Sequence, residues 1–382
     1  MKAIILFICF AITAVTVKAQ TCTDQYRLLS DWSFTMDNDT FTHFIGLGFL
    51  NEDRNYTQGG EIALNSPRLG CSIRNLIERW NWHTKIHNHR SSLSFQEPTK
   101  IFLRYSAFTP DDLRKMNPVI GDRPYSSVVW LGLNFNWLDQ KLYTKQSWEF
   151  NIGAIGIPKI AESIQTAIHK PQNEHNTKPP YNPEGWDNQI SHGGELTVLL
   201  SYSRKKLITK NAIETEALNN DLNKGKFKSQ LVRTIHLDVG HILQGGFGLE
   251  FRLGKLDLRN WHFNPSRNTD AITVAPGSFG KKIKYFNRKR IREIYFYGDL
   301  RASVLLYNGS LHGQFRSSNY TLPWRETGFV YGSSRIGFML KGKDFLFSPY
   351  VAMKSPEFWN KNSRVHTWAG FTINRTFCLS KE

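Results

Sequence analysis

The sequence predicts an all-β protein of about twelve antiparallel strands, with one short helix in a loop and a single domain. Three observations carry this. The first is composition: 26 Phe, 14 Tyr, 11 Trp and 28 Gly in 382 residues, with only 21% charged. That excludes a disordered chain, which buries too little surface to keep so many aromatics. The second is a recurring alternation of apolar and polar residues with period two. The third is that no apolar run of about 18 residues follows the N-terminus, and mean hydropathy is -0.42, so helical membrane spans are not expected. Membrane-crossing strands remain compatible, because their polar face dilutes the mean.

The chain opens with a targeting pattern. Lys2 gives a positive start, Ala3 to Val17 is an apolar stretch too short to span a bilayer, and Val17-Lys18-Ala19 ends on a small residue. This reads as a signal peptide over 1–19 cleaved after Ala19, leaving 20–382 as the mature domain. Cys9 leaves with it. Cys22, Cys71 and Cys378 remain, so one disulfide is possible in an exported protein. If the sheet closes on itself, Cys22 and Cys378 lie on the same side, which makes them the expected pair; three free thiols are the other reading.

The strands are expected at 27–37, 57–66, 100–107, 126–136, 146–154, 194–203, 231–240, 246–253, 293–307, 326–341, 344–354 and 364–377. In the ninth, Ile294, Phe296, Leu300, Val304 and Leu306 alternate with Asp299, Arg301 and Ser303. In the eighth, Phe247, Leu249, Phe251 and Leu253 alternate with Glu250 and Arg252. Such a ribbon separates two solvents: core and water in a soluble sheet, or lipid and a polar lumen in a barrel. Periodicity alone does not choose between them. The even strand count and the last strand, ending on Phe371, Ile373 and Phe377, suit a barrel. The long connections at 67–99, 204–230 and 254–292 suit it less, since they would fall on the periplasmic side. One helix is expected after Pro158, with Ile160, Ile164 and Ile168 as an apolar stripe, Gln165 and His169 on an adjacent face, and an end before Pro171.

Counting strands from a periplasmic N-terminus puts every polar motif on one rim. The first outer loop, 38–56, opens with Asn38-Asp39 and closes at Tyr56-Thr57-Gln58-Gly59. The second holds Thr109-Pro110, Arg114-Lys115 and Gly121-Asp122-Arg123-Pro124-Tyr125. The third holds the helix, with Gln165 and His169, and Gly185-Trp186-Asp187-Asn188-Gln189. Asn38, Asp39 and Thr57 offer hard oxygen ligands of the kind Ca²⁺ takes, and a divalent ion can polarise an ester carbonyl. His169 is placed to activate water, with Gln165 one turn earlier to orient it or the substrate. No Gly-x-Ser-x-Gly elbow occurs, so an α/β-hydrolase nucleophile is not supported.

These motifs, in this order over residues 34–190, resemble the outer-membrane lipid A 3′-O-deacylase family. The resemblance implies a transmembrane antiparallel β-barrel of about twelve strands, in the bacterial outer membrane, with a Ca²⁺-dependent site at the outer rim. It implies a hydrolase that removes the 3′-linked acyloxyacyl chain of lipid A, the membrane anchor of lipopolysaccharide. On that pattern His169 is the general base for water, and Asp39 and Thr57 take part at the calcium site. Asn38 holds the ester or its oxyanion, and Lys115 or Arg114 binds a lipid A phosphate. The family uses a Glu shortly after the His. Here the stretch from Lys170 to Pro183 is longer, and Glu174 is the nearest candidate, with Glu184 the runner-up.

Charge agrees with an anionic substrate. Lys+Arg exceed Asp+Glu by 49 to 32, a formal charge of +17, which fits phosphorylated lipid in an exported protein better than nucleic acid. A monomer is expected. Plainer readings stand beside these. Asn38-Asp39 are also turn formers. Asp122-Arg123 reads as a pair that locks a loop, and Gly185-Trp186 as loop architecture. His83, His87 and His89 lack the Glu of a zinc motif and read as solvated, as does the basic cluster over 281–292. The rival functions are an outer-membrane phospholipase with a Ser nucleophile, a porin or scaffold, and a soluble β-sandwich for an anionic ligand.

Overall fold

The computed structural model describes residues 30–44, 55–66, 94–96, 99–139, 142–175, 183–209, 227–258, 261–262, 293–342 and 345–377. The signal segment 1–19, the three remaining cysteines, His83, His87 and His89 and the cluster 281–292 lie outside these residues.

The strands in chain order are β1 (Ser30–Asn38), β2 (Asn55–Ser66), β3 (Ser94–Gln96), β4 (Thr99–Thr109), β5 (Ser126–Asp139), β6 (Thr144–Ile155), β7 (Glu195–Leu207), β8 (Lys228–Gly240), β9 (Ile242–Lys255), β10 (Glu293–Asn308), β11 (Val330–Lys341), β12 (Phe345–Lys354) and β13 (His366–Phe377). Each long strand pairs antiparallel with its sequence neighbours. β1 pairs with β13 from Ser30↔Phe377 to Asn38↔Ala369, which closes the cylinder. The twelve long strands are the twelve expected, each boundary within four residues. The three-residue β3 was not expected. It pairs with β5 at Gln96↔Trp137, on the line that β4 occupies at Lys100↔Asn134.

Burial chooses between the two solvents. On β7 and β9, Leu196 is 77% and Phe247 67% exposed, while Glu250 is 2%. The apolar set faces outward all round the wall, through Leu249, Leu300, Val304 and Ile336. The polar set turns into the lumen, the reverse of a water-soluble sheet and the arrangement of a barrel in lipid. The lumen is packed. Glu61 joins Lys100 and Arg104, and Arg104 Nη1 reaches Glu149 Oε1 at 3.0 Å. Lys205 Nζ meets Glu250 Oε2 at 2.8 Å, and Tyr350 donates to Asp37 at 2.6 Å. Buried charges need such partners.

Both ends are covered. At the rim opposite Asn38, Leu256 and Leu258 pack on Tyr295, and Trp261 on Leu138, Leu207 and Val232. The long connections expected on this rim do leave from it. At the Asn38 rim the loops are tied together: Gly121 N donates to Tyr320 Oη (2.8 Å), Asn360 Nδ2 to Gly121 O (2.7 Å) and Ser191 N to Ser318 Oγ (2.9 Å). Arg123 Nη1 reaches Glu357 Oε2 at 2.6 Å, both buried. The Asp122-Arg123 motif is therefore loop architecture, with Arg123 tied to an acid 234 residues away.

Among the described residues three α-helices sit at this rim: α1 (Phe41–Phe44), α2 (Ile160–His175) and α3 (Gly309–His312). α2 corrects the sequence reading in length. It begins at Ile160, after Lys159 with φ +64°, and runs through Pro171 to His175. Proline removes one N–H and so one helical bond; it bends or weakens a helix without always ending it.

Candidate active site

The site is built on the outside of the wall, where β1, β2 and β4 meet the rim. Alternation fixes the faces. On β1, Asp31, Ser33, Thr35 and Asp37 point inward and Trp32, Phe34 and Met36 outward, so Asn38 belongs to the outward set; yet it is buried. Directly opposed residues share a face. Asn38 pairs with Gln58, and Gln58 with Ala107, so all three lie on the outer wall, and all are buried.

The cover is α2. Ala161 packs with Ala107, Leu113, Tyr125 and Trp186, and Gln58 Nε2 lies 3.4 Å from Ala161 O and 2.9 Å from Tyr105 Oη. The buried face of the helix is Ala161 and Gln165. Ile164, from the apolar stripe, is exposed instead. A helix laid on a lipid-facing wall turns its apolar stripe to the lipid and its polar face to the protein, as the strands do.

A bulge in β2 aims the key threonine. Register shifts between Tyr56 and Gln58, so Thr57 is the extra residue. Tyr56 turns inward and donates to Asp37 Oδ1 at 2.5 Å. Thr57 Oγ1 lies 2.6 Å from Thr109 Oγ1. The first hairpin closes on the same residue: Asn38 Nδ2 donates to Thr57 O at 2.9 Å and Asp39 N at 3.3 Å. Thr40 N donates to Asn38 Oδ1 at 2.8 Å and to Asp39 Oδ1 at 2.7 Å. Asn38, Asp39 and Thr57 thus form one cluster of oxygen atoms. The donor types, amide and main-chain carbonyls, a carboxylate and a hydroxyl, suit a hard cation such as Ca²⁺. Among the described side chains the cluster holds one carboxylate, that of Asp39.

Gln165 is buried, and its Oε1 accepts from Trp186 Nε1 at 2.8 Å. Trp186 is held by an edge-on contact to Tyr125 at 4.9 Å. Gly185 is required beside it, since a Cβ there would lie 2.3 Å from the Tyr125 ring. Gln189 Oε1 accepts from Ser127 Oγ at 2.8 Å. The Gly-Trp-x-x-Gln motif is loop architecture, as read, and it also fixes Gln165. At the loop base, Gly156 has φ +74°, and a Cβ would lie 2.2 Å from Ser191 O.

His169 lies on α2 one turn beyond Gln165 and two beyond Ala161, on the same face, about 12 Å along the axis from Ala161. Glu174 lies in the last turn of the same helix. The side chains of both are outside the described residues. Glu184 is exposed, its N–H donating to Leu113 O at 3.0 Å. Arg114 and Lys115 are exposed on the 110–125 loop just past the buried Leu113, and Arg114 Nε pairs with Asp112 Oδ1 at 3.0 Å. Sequence reading gave no role to Gln58 or Tyr105, and it named Thr109 only within the Thr109-Pro110 motif. Gln58 sits inside the Tyr-Thr-x-Gly motif, but only its register opposite Asn38 reveals it.

A closed, outward-apolar cylinder with a polar seam under a rim helix is an outer-membrane β-barrel in class. The family model described as "Outer membrane protein LpxR" matches residues 5–377, and the chain belongs to that family, the one the motif order pointed to. Among solved structures, LpxR from Salmonella typhimurium is 14% identical and aligns over 91% of this chain and 100% of its own, with a TM-score of 0.61. The β domain of the Bordetella autotransporter BrkA is 8% identical over 91% and 98% of the two chains, with a TM-score of 0.35. A search of curated protein sequences finds no match.

Proposed function

We propose that this outer-membrane protein is a Ca²⁺-dependent lipid A 3′-O-deacylase that hydrolyses the ester of the 3′-linked acyloxyacyl chain. The observation that carries the reading is the seam itself. It brings Asn38, Asp39, Thr57 and the Gln165 face of α2 together on the outer wall, the side from which a lipid reaches a barrel. His169 Nε2 or Nδ1 takes a proton from water as the oxygen attacks the ester carbonyl. Asn38 Nδ2 stabilises the oxyanion, and His169 returns the proton to the departing sugar oxygen, releasing a hydroxyl and a carboxylic acid, which then loses its own proton to solvent. Asp39 and Thr57, with Glu174 as the nearest acid after His169 in the sequence, would hold the cation, which when bound polarises the carbonyl. Arg114 and Lys115 meet a lipid A phosphate from the exposed loop. The packed lumen favours this enzyme over a pore.

The test is purified protein on lipid A, with products read by mass spectrometry. His169→Ala is expected to abolish deacylation while the barrel keeps its heat-modifiable migration. Full activity in that variant would refute the assigned base. Serine-directed inhibitors are expected to have no effect, and inhibition by them would favour the Ser phospholipase.

A further inference from the structure

The seam between α2 and the wall contains two amides, each with one end tied and the other untied. Gln58 is 3% exposed. Its Nε2 faces Tyr105 Oη and Ala161 O, and because Ala161 O can only accept, the amino end is fixed on that side. Its Oε1 is buried and receives no hydrogen bond. Gln165 is 1% exposed. Its Oε1 is tied to Trp186 Nε1, and its Nε2 is buried and donates to nothing. Gln165 lies one helical turn beyond Ala161, the residue that Gln58 touches, so the side chains that carry the leftover acceptor and donor meet the same stretch of α2. A buried polar atom without a partner has lost its hydration for nothing, so such atoms are seldom left idle. A cation satisfies the acceptor but is repelled by the donor. A water molecule satisfies both.

We infer that Gln58 is a further catalytic residue, which with Gln165 holds the attacking water. This rests on the hydrolytic reading above. The water accepts from Gln165 Nε2–H and donates one hydrogen to Gln58 Oε1. Its second hydrogen goes to the His169 imidazole, and its remaining lone pair attacks the ester carbon. As the bond to carbon forms, that O–H bond breaks, and the proton moves to His169. The hydrogen bonded to Gln58 stays on the new acid.

Two variants separate this role from a clamp on the helix. Gln58→Glu keeps a side-chain acceptor, and Gln58→Met keeps neither group; both lose the amide donor to Ala161 O. For lipid A deacylation, Gln58→Glu should retain kcat within about tenfold, and Gln58→Met should lose roughly 100-fold. KM should be unchanged in both. Equal kcat in the two variants, or a loss confined to KM, would overturn the inference. Gln58→Asp and Gln58→Leu repeat the comparison if either variant fails to give a heat-modifiable barrel. An inactive wild type would sink the deacylase reading, whereas an active wild type with indistinguishable variants sinks this inference alone.

Discussion

At the scale of residues, the site depends on side chains held from behind. Trp186 donates to Gln165 Oε1, and that bond decides which way the Gln165 amide points. Trp186→Phe removes the donor and keeps the ring against Tyr125. It is expected to lower kcat for deacylation by about tenfold with KM unchanged, the loss of roughly one buried hydrogen bond; steady-state kinetics on lipid A would read it. Motif order in the sequence picked out Asn38, Asp39, Thr57, Gln165 and His169 as candidates, because order survives without geometry. It did not reveal Gln58, since its meaning lies in pairing with Asn38 and in the bulge at Thr57. Nor did it reveal that Arg123 is tied to Glu357: composition and period are local, and that partner is 234 residues off.

Elements were readable where a period had room to repeat. Several of the twelve long strands showed alternation over seven or more residues. β3, with three, showed none. The helix was legible from its stripe, but its end was not, because Pro171 is a local stop signal that costs a helical bond without always ending the helix. The rim loops carry a titrating lock. His241, in the turn between β8 and β9, is buried. Its Nε2 lies 3.0 Å from Ser310 Oγ of α3 and its Nδ1 3.1 Å from Gln314 Oε1. Burial pushes its imidazole down to about 4 from 6.5, against the opposing pull of Gln314 and Glu195. The neutral form is the folded one. Stability from this group is complete above about 6.5 and is lost as pH falls toward 4, because there the unfolded chain binds a proton that the folded chain refuses. The 309–329 loop is therefore expected to become protease-sensitive between pH 6.5 and 4. His241→Gln should flatten that dependence, and an unchanged profile in the variant would place the lock elsewhere.

For the molecule as a whole, one inversion organises everything: apolar residues outward, charges inward. Alternation predicted two faces but not which solvent each would meet, because a period of two is the same in water and in lipid. Burial of Glu250 against exposure of Phe247 settles that. The same inversion puts the oxygen cluster and the polar face of α2 on the lipid side, near exposed Arg114 and Lys115, on a chain of charge +17. On the function proposed above, that seam is a calcium-dependent esterase for lipid A. The most direct measurement is the mass spectrum of lipid A from cells that carry this protein, taken with Ca²⁺ and with a chelator. Loss of the 3′-linked acyloxyacyl chain with Ca²⁺, absent with chelator and absent with His169→Ala, is the result expected. Lipid A unchanged by the wild-type protein, or deacylated equally in chelator, would contradict it.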